Sequence, residues 1–147
     1  MANTIDMQLM RYINLFSKIS RVSTTKCFFY NNQIVFLVPR SKVSMAIGKN
    51  AVNIRKLREI LRRQIKVVAI PNPEDSREIT RFIEDLVEPI EFNSVELKEG
   101  SLTINAGRQS KAALIGRNRV REKEMSEILK NYFRINKFRI AWMIKEI

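Results

Sequence analysis

Histidine is absent from the 147 residues, and Cys27 is the only cysteine. Without an imidazole there is no Ser-His-Asp triad, no histidine general base and no histidine metal ligand. One thiol makes neither an intramolecular disulfide nor a thiolate zinc cluster. The fold must therefore rest on its apolar core. A chain of this length can bury about 68–70% of its unfolded surface, so neither a disulfide nor a metal is needed. Long apolar runs are missing too. Ile34–Val38 is typical of the longest, far short of the ~20 residues that span a bilayer. The first ten residues carry Asp6 and no basic stretch ahead of an apolar one, so no signal peptide is expected. Lack of a disulfide framework predicts a cytoplasmic location. Acid is scarce: 15 Asp+Glu stand against 27 Lys+Arg, a net charge of +12. Yet 45% of the residues are hydrophobic, too many for a disordered basic tail. What is left is a compact basic protein with phosphate as its natural partner. No cofactor, metal, membrane or small-molecule substrate is expected.

The charge is patterned. Residues 1–70 carry +11, residues 71–100 carry −6 and residues 101–147 carry +7. The two basic regions also resemble each other. With an offset of 68, Arg40–Leu61 matches Arg108–Leu129 at 8 of 22 positions without a gap. Ile47-Gly48-Lys49-Asn50-Ala51-Val52 meets Ile115-Gly116-Arg117-Asn118-Arg119-Val120. Lys/Arg exchanges at 49/117, 55/123, 62/130 and 66/134 extend the likeness. The chain reads as two copies of one small-domain unit.

The copies predict the same elements. Ile5, Leu9, Ile13, Phe16 and Ile19 form one helical stripe, with Asn3 or Thr4 as N-cap and Asp6 in the first turn. Residues 22–30 and 33–38 form a hairpin about Asn31-Asn32, two residues that tolerate positive φ. Ser41 caps a short helix ending near Gly48. A helix over 51–63 turns Val52, Leu57, Ile60 and Leu61 inward. Ile65–Ile70 is a strand, ended by Pro71 and Pro73. In the second copy, Asp75 or Ser76 opens a helix bearing Ile79, Phe82, Ile83, Leu86 and Val87, which stops before Pro89. Strands follow at 90–97 and 102–106, helices at 109–115 and 119–132, and a last strand at 134–143. Each unit is helix, strand, strand, helix, loop, helix, strand. The expected domains are residues 1–71 and 72–147.

Gly48 and Gly116 join two helices each. Glycine ends the first helix where positive φ is needed. The next helix begins at once, with its first N–H groups and dipole facing outward, where a phosphodiester can sit. Lys49 adds charge, and Asn50 tolerates the left-handed region. Here the residues resemble a known family. Ile47-Gly48-Lys49-Asn50-Ala51-Val52-Asn53-Ile54 is similar to the I-G-x-x-G-x-x-I signature of KH domains, whose loop clamps about four nucleotides of single-stranded RNA or DNA. The element order resembles the type II, prokaryotic-type KH fold. Two such units in tandem resemble the archaeal NusA-like family of transcription termination/antitermination factors.

The resemblance implies an α+β fold of two tandem type II KH domains and a non-catalytic protein. It implies single-stranded RNA as ligand and leaves RNA polymerase as a candidate partner. By position it implies RNA contacts at Ile47, Gly48, Lys49, Asn50, Ala51, Ile54 and Arg55, and at Ile115, Gly116, Arg117, Asn118 and Arg119. The groove floor would include Val67-Val68. The signature's second glycine is Ala51 in one copy and Arg119 in the other, and its closing apolar residue is Ile54 in one and Glu122 in the other. The first loop is therefore predicted to be the better-formed clamp. Replacing Gly48 and Gly116 by Asp is expected to remove RNA binding and spare the fold.

Other features read more simply. Phe28, Phe29 and Tyr30 are core and cross-strand packing rather than a stacking platform. Arg55, Arg58, Arg62 and Arg63 form the polar side of a helix, either solvated or on RNA. The acids between Glu74 and Glu91 are first-turn residues and a solvated face rather than a metal site. Cys27 is a small buried hydrophobe, and Trp142 is packing. The alternative function is a structural component of the ribosome or another ribonucleoprotein. A duplex-DNA helix-turn-helix is disfavoured by the flanking strands.

Overall fold

The computed structural model describes the backbone from Thr4 to Trp142 and side chains from Met7 onward. The expected caps Asn3 and Thr4, the first-turn Asp6, the stripe residue Ile5 and the strand end at Met143 lie outside the described residues or side chains. The chain divides into two compact units, Met1–Ile70 and Pro71–Ile147.

The first unit opens with α1 (Thr4–Ser20). Tyr12 and Phe16 are buried, with Leu9, Ile13 and Ile19 packed beside them. Ser20 closes the helix: its hydroxyl donates to the Phe16 carbonyl at 2.7 Å and accepts from Val22 N–H at 3.1 Å. Strands β1 (Lys26–Tyr30) and β2 (Gln33–Val38) form the expected hairpin, with Asn31 and Asn32 at φ 52° and 60°. Positive φ at both turn residues matches the twist of the strands. Strand β3 (Gln64–Ala69) lies parallel to β2. A parallel pair needs a long crossover. That crossover comprises a 3-10 turn (Arg40–Lys42), α2 (Val43–Ile47), a second turn (Lys49–Ala51) and α3 (Val52–Leu61). Ser41 sits inside the first turn and caps nothing.

One core lies between the helices and one sheet face. Phe16 stacks on Phe36 with ring centroids 4.2 Å apart. Ile34, Phe36, Val38, Ala46 and Leu57 complete its centre. Helix α3 contributes a narrower stripe than expected. Ile54, Leu57 and Leu61 pack inward, but Val52 and Ile60 are 37% and 58% exposed. Positions i, i+3 and i+7 share a face; Ile60 falls to one side of it and Val52 on the opposite side.

The second unit repeats the order with α4 (Ser76–Val87), β4 (Ser94–Lys98), β5 (Ser101–Ala106), α5 (Arg108–Ile115), a 3-10 turn (Arg117–Arg119), α6 (Val120–Phe133) and β6 (Lys137–Trp142). Asp75 caps α4, accepting from Arg77 N–H at 2.9 Å. Phe82 meets Phe133 edge to face, with centroids 5.0 Å apart. The strand expected at 90–97 starts later, because Ile90 N–H bonds back to the Val87 carbonyl in a turn. The offset of 68 holds through the loop and fails after it. Helix α6 has 14 residues against 10 in α3, about one more turn. Arg62 and Arg134 both end their helices in the left-handed region, at φ 55° and 56°. Arg134 is thus the structural counterpart of Arg62, and the charge matches at 62/130 and 66/134 do not correspond in space.

Candidate nucleic-acid interface

The two loops have the same backbone. Gly48 lies at φ 83°, ψ 164°, and Gly116 at φ 76°, ψ 171°. Asn50 and Ala51 follow at φ 55° and 59°, and Asn118 and Arg119 at φ 56° and 60°. Their internal hydrogen bonds repeat as well. Gly48 and Gly116 donate to the Ser44 and Ala112 carbonyls, each at 3.0 Å. Ala51 and Arg119 donate to the two glycine carbonyls, at 3.0 and 3.2 Å. The N–H groups of Val52 and Val120 bond to the Lys49 and Arg117 carbonyls. Several of the amides expected to face a phosphate are therefore used within the turn. The second loop is not degenerate in shape: Arg119 occupies the same left-handed position as Ala51.

Side chains beneath each loop explain the need for glycine. A Cβ on Gly48 would stand 2.9 Å from Val52 Cγ1 and from Asn53 Nδ2. One on Gly116 would stand 2.7 Å from Arg121 Cγ. The backbone region is also one that glycine alone visits readily. An Asp at either position would thus strain the loop, so those substitutions do not separate binding from folding. Asn53 also donates from Nδ2 to the Met45 carbonyl at 3.2 Å, satisfying the end of α2. Arg121, its counterpart, pairs instead with Glu124. These supporting residues lay beyond reach of motif reading, because the signature leaves their positions open.

Electrostatics separate the loops. Lys49, Asn50 and Arg55 are exposed. Residues 40–66 contain nine Lys/Arg and a single acid, Glu59. Residues 108–134 contain eight Lys/Arg and three acids. Two of those acids engage loop-side arginines: Arg119 reaches Glu122 at 3.9 Å, and Arg121 reaches Glu124. Arg117, Asn118, Val120, Arg121 and Lys123 line a shallow recess of about 460 Å³ beside the second loop.

Other expected residues are placed differently. Ile47, Ile54 and Ile115 are half-buried beside the loops, but Val68 is 2% exposed and offers no groove floor. Arg58, Arg62 and Arg63 converge with Asn32 and Gln64 on a recess of about 550 Å³ at the far end of α3. No carboxylate pairs with these arginines among the described residues. Arg63 covers Phe29, its guanidinium carbon 5.3 Å from the ring centroid. Phe28 and Tyr30 are buried. Burial pushes the Cys27 thiol up to about 12, so it is not a reactive thiolate. Among the described residues, no three His, Cys, Asp or Glu could share a metal, and no helix is long and apolar enough to cross a membrane. Trp142, expected as packing, is 55% exposed.

Residues 10–102 match the KH domain family. The chain belongs to that family. The matched stretch contains the Gly48 loop and ends within β5, ahead of the Gly116 loop. Both units of this KH protein nevertheless have the type II order: one helix and two strands before the loop helices, one strand after them. The fold is α+β, with two tandem units. The chain is similar to the probable transcription termination protein NusA of Thermoplasma acidophilum, with 22% identity over 137 residues, covering 90% of this chain and 92% of that one. It is also similar to the probable transcription termination protein NusA of Methanocaldococcus jannaschii, with 24% identity over 132 residues, covering 87% and 69%. The crystal structure of APE1850 shares the fold, with a TM-score of 0.63 and 28% identity over 92% of this chain and 99% of that one.

Proposed function

We propose that this chain is a non-catalytic single-stranded RNA-binding protein acting in transcription elongation or termination. It grips the RNA backbone at two helix-loop-helix turns, one in each of two KH domains, residues 1–71 and 72–147. The observation that carries this reading is the near-identical backbone of the two loops, each presenting exposed cations at the start of a longer helix. A phosphodiester at either loop would meet the positive end of a helix dipole and a flexible cationic side chain. Lys49, Asn50 and Arg55 hold phosphates in the first domain; Arg117, Asn118 and Arg119 do so in the second. Gly48 and Gly116 fold each turn tightly over the side chains beneath it, the shape that the nucleic-acid backbone meets. Ile47, Ala51, Ile54 and Ile115 are the apolar neighbours of the clamped nucleotides.

The relatives carry the name of transcription termination proteins. On that similarity, RNA polymerase is the macromolecular partner and the cytoplasm the location. Substituting Lys49→Glu is expected to weaken binding of a single-stranded RNA at least tenfold in a gel-shift assay and leave the circular dichroism spectrum unchanged. Co-purification from native extract is expected to recover RNA polymerase subunits. Recovery of ribosomal subunits in their place would favour a ribonucleoprotein role.

A further inference from the structure

Trp142 ends β6, opposite Ala106 of β5. Its counterpart in the first unit is Ala69, which ends β3 opposite Val38 and is 7% exposed. The same strand position therefore closes well with a methyl group, and packing does not call for an indole there. Yet the indole is present and 55% exposed. It lines a recess of about 380 Å³ with Arg108, Lys111, Ala112 and Ile115, all from α5. Ile115 immediately precedes Gly116, so the recess adjoins the second loop. Its walls are apolar at Ala112, Ile115 and the indole. Its charged members are both cations, and no carboxylate lines it among the described residues. An exposed tryptophan beside apolar walls marks a contact surface. The charge selects an occupant that is flat and apolar on its faces yet carries negative charge along one side. A nucleotide meets that description, because every base has a π-face and its phosphate suits Arg or Lys.

We propose that Trp142 is a base-stacking platform. A nucleobase of single-stranded RNA lies on the indole in this recess, its phosphate on Arg108 or Lys111, next to the nucleotides held at the Gly116 loop. This rests on the RNA-binding reading above and adds to it a residue that reads base faces rather than backbone. The second unit, whose loop arginine is drawn toward Glu122, thereby holds RNA by a means that the first unit lacks.

Trp142 is the only tryptophan in the chain, so intrinsic fluorescence reports on this site alone. Titration with oligouridine or oligoadenosine is expected to quench the emission in a saturable way. Inorganic polyphosphate, which has charge but no bases, is expected to leave it nearly unchanged. Replacing Trp142→Ala is expected to weaken oligonucleotide affinity by roughly 5- to 150-fold, the range seen on removing one aromatic–base stack. The Trp142→Phe variant is expected to retain most of the affinity. An unchanged thermal midpoint in both variants would show that the fold is intact. If W142A binds RNA as tightly as the unmodified chain, or binding leaves the emission untouched, the stacking role is wrong while the RNA-binding reading stands. If the unmodified chain binds no RNA by gel shift, both fail together. Quenching by an apolar peptide but not by oligonucleotides would assign the recess to a protein partner and overturn the proposal.

Discussion

At Ala51 and Arg119 the chain holds an ordinary side chain in the left-handed region, at φ 59° and 60°. For an L-residue other than Gly, Asn or Asp this costs roughly 1–2 kcal/mol. The preceding asparagines, Asn50 and Asn118, tolerate the conformation better. Replacing Ala51→Gly relieves the clash between Cβ and carbonyl, and part of the gain is offset by a more flexible unfolded chain. The variant is expected to be more stable by about 0.5–1 kcal/mol, read as a shift of the urea midpoint at constant m-value. The reverse change at Gly48 has the opposite sign. There a Cβ meets Val52 and Asn53 at 2.9 Å, so alanine is expected to destabilise. The signature glycine survives in each copy at the position where neighbouring atoms and dihedral angle both forbid a side chain. The signature's second glycine position, where only the dihedral angle objects, holds Ala51 in one copy and Arg119 in the other.

Helix termini set the character of each element. Helix α6 has Glu122 in its first turn, and Glu124 follows. These acids complement the helix dipole and draw Arg119 and Arg121 toward themselves. Helix α3 has no acid in its first turn, so its positive end is available to an anion. In α4 the end is closed by Asp75, which accepts from Arg77 N–H. An Asp75→Ala substitution is expected to cost about 1 kcal/mol in a denaturation experiment. The adjoining ion pair with Arg77 is 4.0 Å long and exposed, and adds little. Since α4 belongs to the acidic segment, the same variant is expected to leave RNA affinity within twofold. A large fall in affinity would mean that this segment contributes to binding after all.

Across the whole chain the +12 divides into two basic regions and one acidic segment. The acidic segment belongs to the second unit, which nets +1 over residues 71–147 against +11 for residues 1–70, so long-range attraction is carried mainly by the first unit. On single strands, removing one cation that neutralises a phosphate is expected to reduce the slope of log K against log salt by about 0.7. Lys49→Ala and Arg117→Ala, measured singly and together across a salt series, test whether both loops hold phosphate. If the two cations act independently, the single changes are near 0.7 and the double change is near 1.4. If Arg117→Ala leaves the slope unchanged, the second loop does not hold a phosphate. The double variant would then match Lys49→Ala alone.

By itself the sequence determined the duplication, the order of elements and the place of the two loops. These follow from local patterns: apolar spacing along α1 and α4, paired asparagines at the hairpin, and glycine between a short helix and a longer one. Each acts over a few residues and survives in any chain that carries it. Only the tertiary structure decided the rest. The extra turn of α6 moved Arg134 into the place of Arg62, which a fixed sequence offset cannot register. Packing narrowed the buried stripe of α3, leaving Ile60 outside although its residue type favours burial. The shared backbone of the two loops was hidden behind Arg119, because a side chain's identity does not disclose its dihedral angles. The recess at Trp142 exists only because β6 lies beside α5, bringing together residues about 30 positions apart. Juxtapositions of that kind depend on three-dimensional closure and leave no periodicity in the chain.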